Sequence, residues 1–203
     1  MNIKVLKSDD VPNNFIEDLK NGLLCRPYSI PAKYFYDTIG SELFEKICST
    51  KEYYPSRAEE LLLNNRIEEI INKIRPKEIF ELGSGSSRKS KIIIDESFKI
   101  GCKKYLAFDI SENTLKLAGE QLIKKYNGVE VFLHIGDYTR DISKLEDSQG
   151  GRLWLFLGST IGNFSHDEGV VFLSNIAKKM HISDSLLIGL DRDKNPAIIN
   201  AAY

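Results

Sequence analysis

A chain of 203 residues, 42% hydrophobic and 28% charged, has the composition of one folded domain with at most an appendage, and is too apolar for a disordered chain. Its 28 basic and 29 acidic residues leave a net charge of −1, which sets up no positive field toward nucleic acid or anionic lipid. The longest strongly apolar run, Leu153–Leu157, is far too short to span a bilayer, and three scattered cysteines, Cys25, Cys48 and Cys102, without metal-ligand spacing argue for a reducing cytosol, against a disulfide scaffold or zinc module.

In chain order, residues 1–75 read as a helical segment with loops. The N-terminus has no long apolar stretch behind it and is not a secretory signal. Asn13–Leu24 places Phe15, Ile16, Leu19 and Leu23 at helical spacing, and Ser41–Ile47 does the same with Leu43, Phe44 and Ile47. After the loop Lys51-Glu52-Tyr53-Tyr54-Pro55, the run Ser56-Arg57-Ala58-Glu59 has the form of a capping box. It predicts a helix with Ile67, Ile70, Ile71 and Ile74 on one stripe that stops at Pro76.

From residue 76 to 203 strands and helices alternate. β-rich runs occur at Glu78–Leu82, Tyr105–Ile110, Val129–Ile135, Leu153–Leu157 and Ser185–Leu190. Helical patterns lie between them near Ser87–Phe98, Glu112–Tyr126 and His166–Met180, the last opened by a capping box at Ser165–Glu168; Asp141–Gly151 has no convincing helix. Strands joined by helices are parallel and covered on both faces, so the fold class is α/β: an open, doubly wound, mostly parallel sheet after an N-terminal helical segment. Such sheets bind ligands beyond the carboxyl ends of their strands.

Residues at those ends have the chemistry of an adenosine site. Gly83-Ser84-Gly85 follows the first predicted strand; a Gly-x-Gly serves a tight turn as readily as a ligand, and Arg88 stands where a dinucleotide fingerprint wants its third glycine, which disfavours an NAD-binding domain. Asp109 ends the second and suits the two hydroxyls of a ribose, with Ser111 taken as the cap of the next helix. Asp137-Tyr138 ends the third, an acceptor for an exocyclic amine beside an aromatic face, though such a pair is usually a turn. After the fourth, Gly158-Ser159-Thr160-Ile161-Gly162-Asn163 forms a lip of small polar residues. There Asn163 is either a turn residue or an amide able to donate to a carboxylate and accept from an amine. His134, His166 and His181 have no metal-ligand spacing, and no metal is expected.

The runs Ile30–Asp37, Gly40–Phe44, Glu52–Glu59, Glu81–Gly85 and Phe156–Asn163 strongly resemble the histidine-specific S-adenosylmethionine-dependent methyltransferases of ergothioneine biosynthesis, in order and at family spacing from about residue 20 onward. The resemblance implies a Rossmann-like class I methyltransferase domain, with Gly83, Lys89, Asp109, Asp137 and Tyr138 holding S-adenosylmethionine at the Gly83-Ser84-Gly85 turn. It implies Tyr53 at the histidine imidazole, Asn163 and Tyr203 at the amino acid head, and Tyr36 with Asn163 at the acceptor amine, in a cytoplasmic enzyme. Read without it, Lys89 belongs to a solvated helix face and Tyr36 and Tyr53 are half-buried tyrosines. The chain departs from the family in three respects: it stops at Tyr203, where members continue into a segment supplying an acid and a serine for the imidazole; Arg88 replaces an acidic residue; and Arg192-Asp193 replace an apolar pair. The expectation is an N-methyltransferase for the histidine α-amine, with further polypeptide or a dimer mate covering the edge Leu186–Leu190. The alternatives are a methyltransferase for another amino acid or small amine, and a non-catalytic S-adenosylmethionine-binding module that acts through a partner.

Overall fold

The computed structural model describes residues 3–7, 15–24, 26–85 and 88–202. Its strands are β1 (Ile3–Lys7), β2 (Glu78–Leu82), β3 (Lys104–Asp109), β4 (Glu130–Ile135), β5 (Arg152–Phe156) and β6 (Ser185–Ile188). They form one sheet in the order β1-β4-β3-β2-β5-β6, with every described pairing parallel. The five predicted strands all form. β1 was not foreseen: a short run whose side chains are mostly exposed, paired along one side only, leaves little burial pattern to read.

The helices are α1 (Phe15–Leu23), α2 (Thr38–Cys48), α3 (Tyr54–Ile74), α4 (Arg88–Lys99), α5 (Glu112–Lys125), the single turn α6 (Tyr138–Asp141), α7 (His166–Lys179) and α8 (Pro196–Ala202). The N-terminal part of the first predicted helix, Asn13-Asn14, and Ser87 at the start of another lie outside the described residues. The capping box expected at Ser165 is present, with both reciprocal bonds made. The one expected at Ser56 is absent. α3 instead begins at Tyr54 with Pro55 in its first turn, since proline lacks the amide that would go unpaired there and carries a φ suited to the helix. That start moves Ser56 and Glu59 inside the helix and frees both side chains for other partners. At the far end Arg75 adopts the left-handed conformation (φ 50°) and Pro76 prevents continuation, as the sequence predicts.

Alternation along the strands divides the core between the two faces of the sheet. On one face Ile79, Tyr105, Val131 and Leu153 pack beneath α3, α4 and α5, where Leu63, Ile67 and Ile71 come at four-residue spacing from α3. On the other Phe80, Phe108, Trp154 and Phe156 meet Phe172 and Ile176 of α7. Phe80 and Trp154 stand edge to face at 4.8 Å between centroids, a favoured aromatic geometry. At the amino-terminal end of the sheet Glu78 bridges its register partners on both sides, Lys104 (2.6 Å) and Arg152 (2.5 Å). Burial pushes the Glu78 carboxyl up, but its two cations outweigh that and hold it below the usual range.

α3 thus belongs to the sheet's own core. Ile71 is 1% exposed, so Ile71→Ala should lower the unfolding free energy by about 2–5 kcal/mol, read as a reduced urea midpoint with an unchanged slope.

Candidate functional site

A cavity of about 860 Å³ opens over the carboxyl ends of the strands. The Gly83–Gly85 turn, Lys89, Asp109, Asp137 and Tyr138 line it together with Tyr36, Tyr53 and Asn163. Ala202 also lines it, so the chain reaches the cavity one residue before Tyr203, which lies outside the described residues.

The floor is built by backbone turning at the ends of β2 and β3. Gly83 donates its amide to the Phe108 carbonyl at 2.8 Å, and its positive φ of 70° is what favours glycine there. Gly85 (φ 47°) donates to Asp109 Oδ2 at 3.0 Å, while Ser111 donates its amide to Oδ1 at 2.9 Å. Ser111 stands at the N-cap position of α5 as expected, but its side chain makes no cap bond and pairs with Thr114 Oγ1 at 2.8 Å. Burial pushes the Asp109 carboxyl up, opposed by amides of Ser111, Gly85 and Ile110. Since a carboxylate offers about four acceptor positions, acceptor capacity remains beyond these amides for a ligand hydroxyl. Ser84 Oγ is buried with no partner among the described residues.

At the next strand end Asp137 caps α6: Oδ1 accepts from the Thr139 amide at 3.0 Å and hydroxyl at 2.5 Å. Its other oxygen accepts from Lys33 Nζ at 3.2 Å, and Lys33 also pairs with Asp18 at 3.0 Å. Tyr138 is set among Phe108, Phe156 and Phe172 at centroid distances of 5.8–6.3 Å, and burial holds its phenol well above the ordinary tyrosine range.

The opposite wall comes from the N-terminal helices. Phe44 of α2 stands edge-on to both Tyr36 (5.8 Å) and Tyr53 (6.0 Å), so one ring orients two tyrosines. Asn163 ends a 3-10 turn, Thr160–Asn163, reached through two consecutive left-handed residues, Gly158 (φ 79°) and Ser159 (φ 56°). Arg88 donates to Ser56 Oγ at 2.9 Å and lies 3.6 Å from Glu60. Lys89 is in an ion pair with Glu59. Of these, Glu59 and Lys33 stand within the runs that carry the family resemblance but were given no site role, because the partners of each lie across a long sequence separation.

Glu81 was missed as well, although strand alternation places it inward. It lines the cavity, accepts from Ser90 and Tyr105, and burial without a paired cation pushes its pKa to about 7. Among the described residues no helix is long and apolar enough to cross a membrane.

The fold and the position of this cavity define a Rossmann-like class I methyltransferase architecture. A putative methyltransferase from Thermobifida fusca superposes with a TM-score of 0.57 at 13% identity, covering 81% of this chain and 65% of that one. The chain belongs to the family of histidine-specific, S-adenosylmethionine-dependent methyltransferases, which it matches over residues 15–203. It is 38% identical over 187 residues to the histidine N-alpha-methyltransferase of Mycobacterium tuberculosis and 36% identical over 199 residues to that of Mycolicibacterium smegmatis. These alignments take in 92% and 98% of the chain but 58% and 62% of the two relatives.

The residues present fit the family's cofactor: an unpartnered buried hydroxyl, an acid with acceptor positions to spare, glycines that admit close approach and a lysine line one cavity.

Because the Glu81 pKa is raised from 4.5, the unfolded chain releases this proton first as pH rises, and the stability present below pH 4.5 is lost by about pH 7. Relative to Glu81→Gln, wild type should lose on the order of 3 kcal/mol of unfolding free energy across that window and nothing further above pH 8, measured by urea denaturation at a series of pH values.

Proposed function

We propose that this chain is the cofactor-binding part of a cytoplasmic N-methyltransferase that moves methyl groups from S-adenosylmethionine to the α-amine of histidine, in succession to the trimethylated betaine. One observation carries the reading: the Gly83–Asp109 floor and the Tyr36, Tyr53 and Asn163 wall face a single cavity. The names of the relatives support histidine as substrate, and the buried free thiols of Cys48 and Cys102 suit a reducing compartment.

When bound, the sulfonium supplies an already activated methyl group, so the protein contributes position and desolvation. Asp109 takes the ribose hydroxyls, Asp137 the adenine amine and Lys89 the cofactor's carboxylate. Tyr53 meets the imidazole. Asn163 and Tyr203 hold the amino acid head. The attacking nitrogen must be neutral, yet an α-amine is mostly protonated near neutral pH. Asn163 orients the lone pair, and Tyr36, directly or through water, helps move the proton out.

A second reading keeps the same cavity and takes another amino acid or small amine as acceptor. A module that binds cofactor without turnover is the remaining alternative. The chain spans about 60% of the relatives' length (58% and 62%), and β6, at the end of the sheet, has half-buried residues throughout. We propose that further polypeptide or a second copy covers this edge, which otherwise offers unpaired backbone groups beside apolar side chains.

Calorimetry should show binding of S-adenosylhomocysteine, and a panel of amino acids with labelled cofactor should show transfer to histidine, tested with the edge-covering polypeptide supplied. No binding refutes the site; transfer to another amino acid selects the second reading; binding without any transfer selects the silent module. Tyr36→Phe should change the ratio of mono-, di- and trimethylated product while leaving cofactor affinity within about twofold. Light scattering of the 203-residue chain alone should show self-association, and a stable monomer would remove the proposed edge cover.

A further inference from the structure

We infer that Glu59 is a positioning residue which fixes both the lysine and the loop that, on the reading above, hold cofactor and amino acid. Glu59 does not line the cavity and touches no ligand in that reading; it stands behind the wall, in the second turn of α3. Its two carboxylate oxygens accept from the Gly158 amide at 2.9 and 3.0 Å, and one of them also takes Lys89 Nζ in an ion pair. Both side chains of that pair are largely buried, at 16% and 20% exposed. A single side chain therefore joins the helix that begins beside Tyr53, the helix that carries Lys89 and the turn that leads to Asn163.

The neighbouring sequence is shaped to admit it. Gly189, the residue after β6, has an ordinary backbone conformation and needs no glycine for its φ; but a Cβ there would overlap the Glu59 carboxylate. A glycine that looks like a strand ending is thus the space into which Glu59 fits. Gly158 is also left-handed at φ 79°, and its amide loses this acceptor if Glu59 is removed.

The consequence for the site follows from the chemistry of lysine. Its ammonium carries three protons on a flexible four-carbon stem. Glu59 takes one of them and restricts the stem, leaving the others for the cavity. Removing the carboxylate frees the lysine to sample other rotamers, and a cofactor carboxylate must then order it on binding. Removing every oxygen at that place also releases the Gly158 turn, and with it the path to Asn163.

The test titrates S-adenosylhomocysteine calorimetrically into wild type, Glu59→Gln, Glu59→Ala, Lys89→Met and the Glu59→Gln/Lys89→Met double variant, and follows hydrogen exchange of the Gly158 amide by NMR. Glu59→Gln keeps an oxygen for Gly158 but loses the ion pair. It should weaken binding about tenfold, the size of one charge-assisted hydrogen bond, with Gly158 still protected. Glu59→Ala should add about tenfold or more faster exchange at Gly158. In the Lys89→Met background Glu59→Gln should have no further effect on affinity. Unchanged or tighter binding in Glu59→Gln, or an equal loss with Lys89 already removed, overturns the inference while leaving the proposed function intact. Failure of wild type to bind overturns both. Should Glu59→Ala not fold, Glu59→Gln and the double variant decide. Glu68→Gln, on an exposed part of the same helix, serves as the unaffected control.

Discussion

Burying a carboxylate is unfavourable unless donors meet it, and Asp109 finds them only because two loops converge on its oxygens. The Gly85 amide comes from the end of β2 and the Ser111 amide from the end of β3. The acid and the glycine turn are therefore one unit rather than two features placed side by side. Gly83 extends that unit through its bond to the Phe108 carbonyl. The floor of the cavity is thus assembled by the same bonds that finish the strands, so it exists before any ligand arrives. Preorganisation of this kind costs nothing at the moment of binding.

Three glutamates near this sheet show how surroundings decide what a carboxyl does. Glu78, between Lys104 and Arg152, is held ionised despite partial burial. Glu81, three residues on and buried at the cavity wall, has hydroxyl donors but no paired cation among the described residues, and its pKa rises to about 7. Hydrogen bonds from neutral groups stabilise the charged form less than desolvation disfavours it. A cation brought into the cavity shifts that balance toward ionised Glu81, so ligand charge and the state of this buried acid are coupled. Glu59 is used differently again: its oxygens hold the Lys89 ammonium and the Gly158 amide in place.

The strand and helix pattern after residue 76 was legible because alternating and helical periodicities were strong there, and the strand ends then located the cavity. Asp109 and Asp137 were visible as acids at those ends, but their backbone partners were not: nothing in the order of residues says that Gly85 will reach Asp109, 24 positions away. Ser56 and Glu59 were misleading for a physical reason. A serine and a glutamate three apart satisfy the capping pattern, but Pro55 initiates the helix earlier and leaves them inside it. β1 escaped notice because one-sided pairing at a sheet edge imposes little hydrophobic pattern, and Glu81, although inside a predicted strand, was given no role because its partners Ser90 and Tyr105 come from other elements.

Lys33 shows how the front segment and the cofactor floor depend on one another. Its ammonium bridges Asp18 of α1 and Asp137 at the end of β4, and the same Asp18 oxygen accepts from the Tyr34 hydroxyl at 2.6 Å. The two carboxylates and the bonds they make offset the burial of Lys33, and its pKa is raised. The oxygen of Asp137 that Lys33 holds is the one left over from the α6 cap, and it is therefore the acceptor remaining for an exocyclic amine in the proposed reading. A carboxylate oxygen has two lone pairs, so lysine and ligand can share it, but sharing requires Lys33 to stay on one side. The position of that lysine is set by the segment that three residues later presents Tyr36 to the cavity. The front segment and the end of β4 are thereby tied to one another through this ion pair.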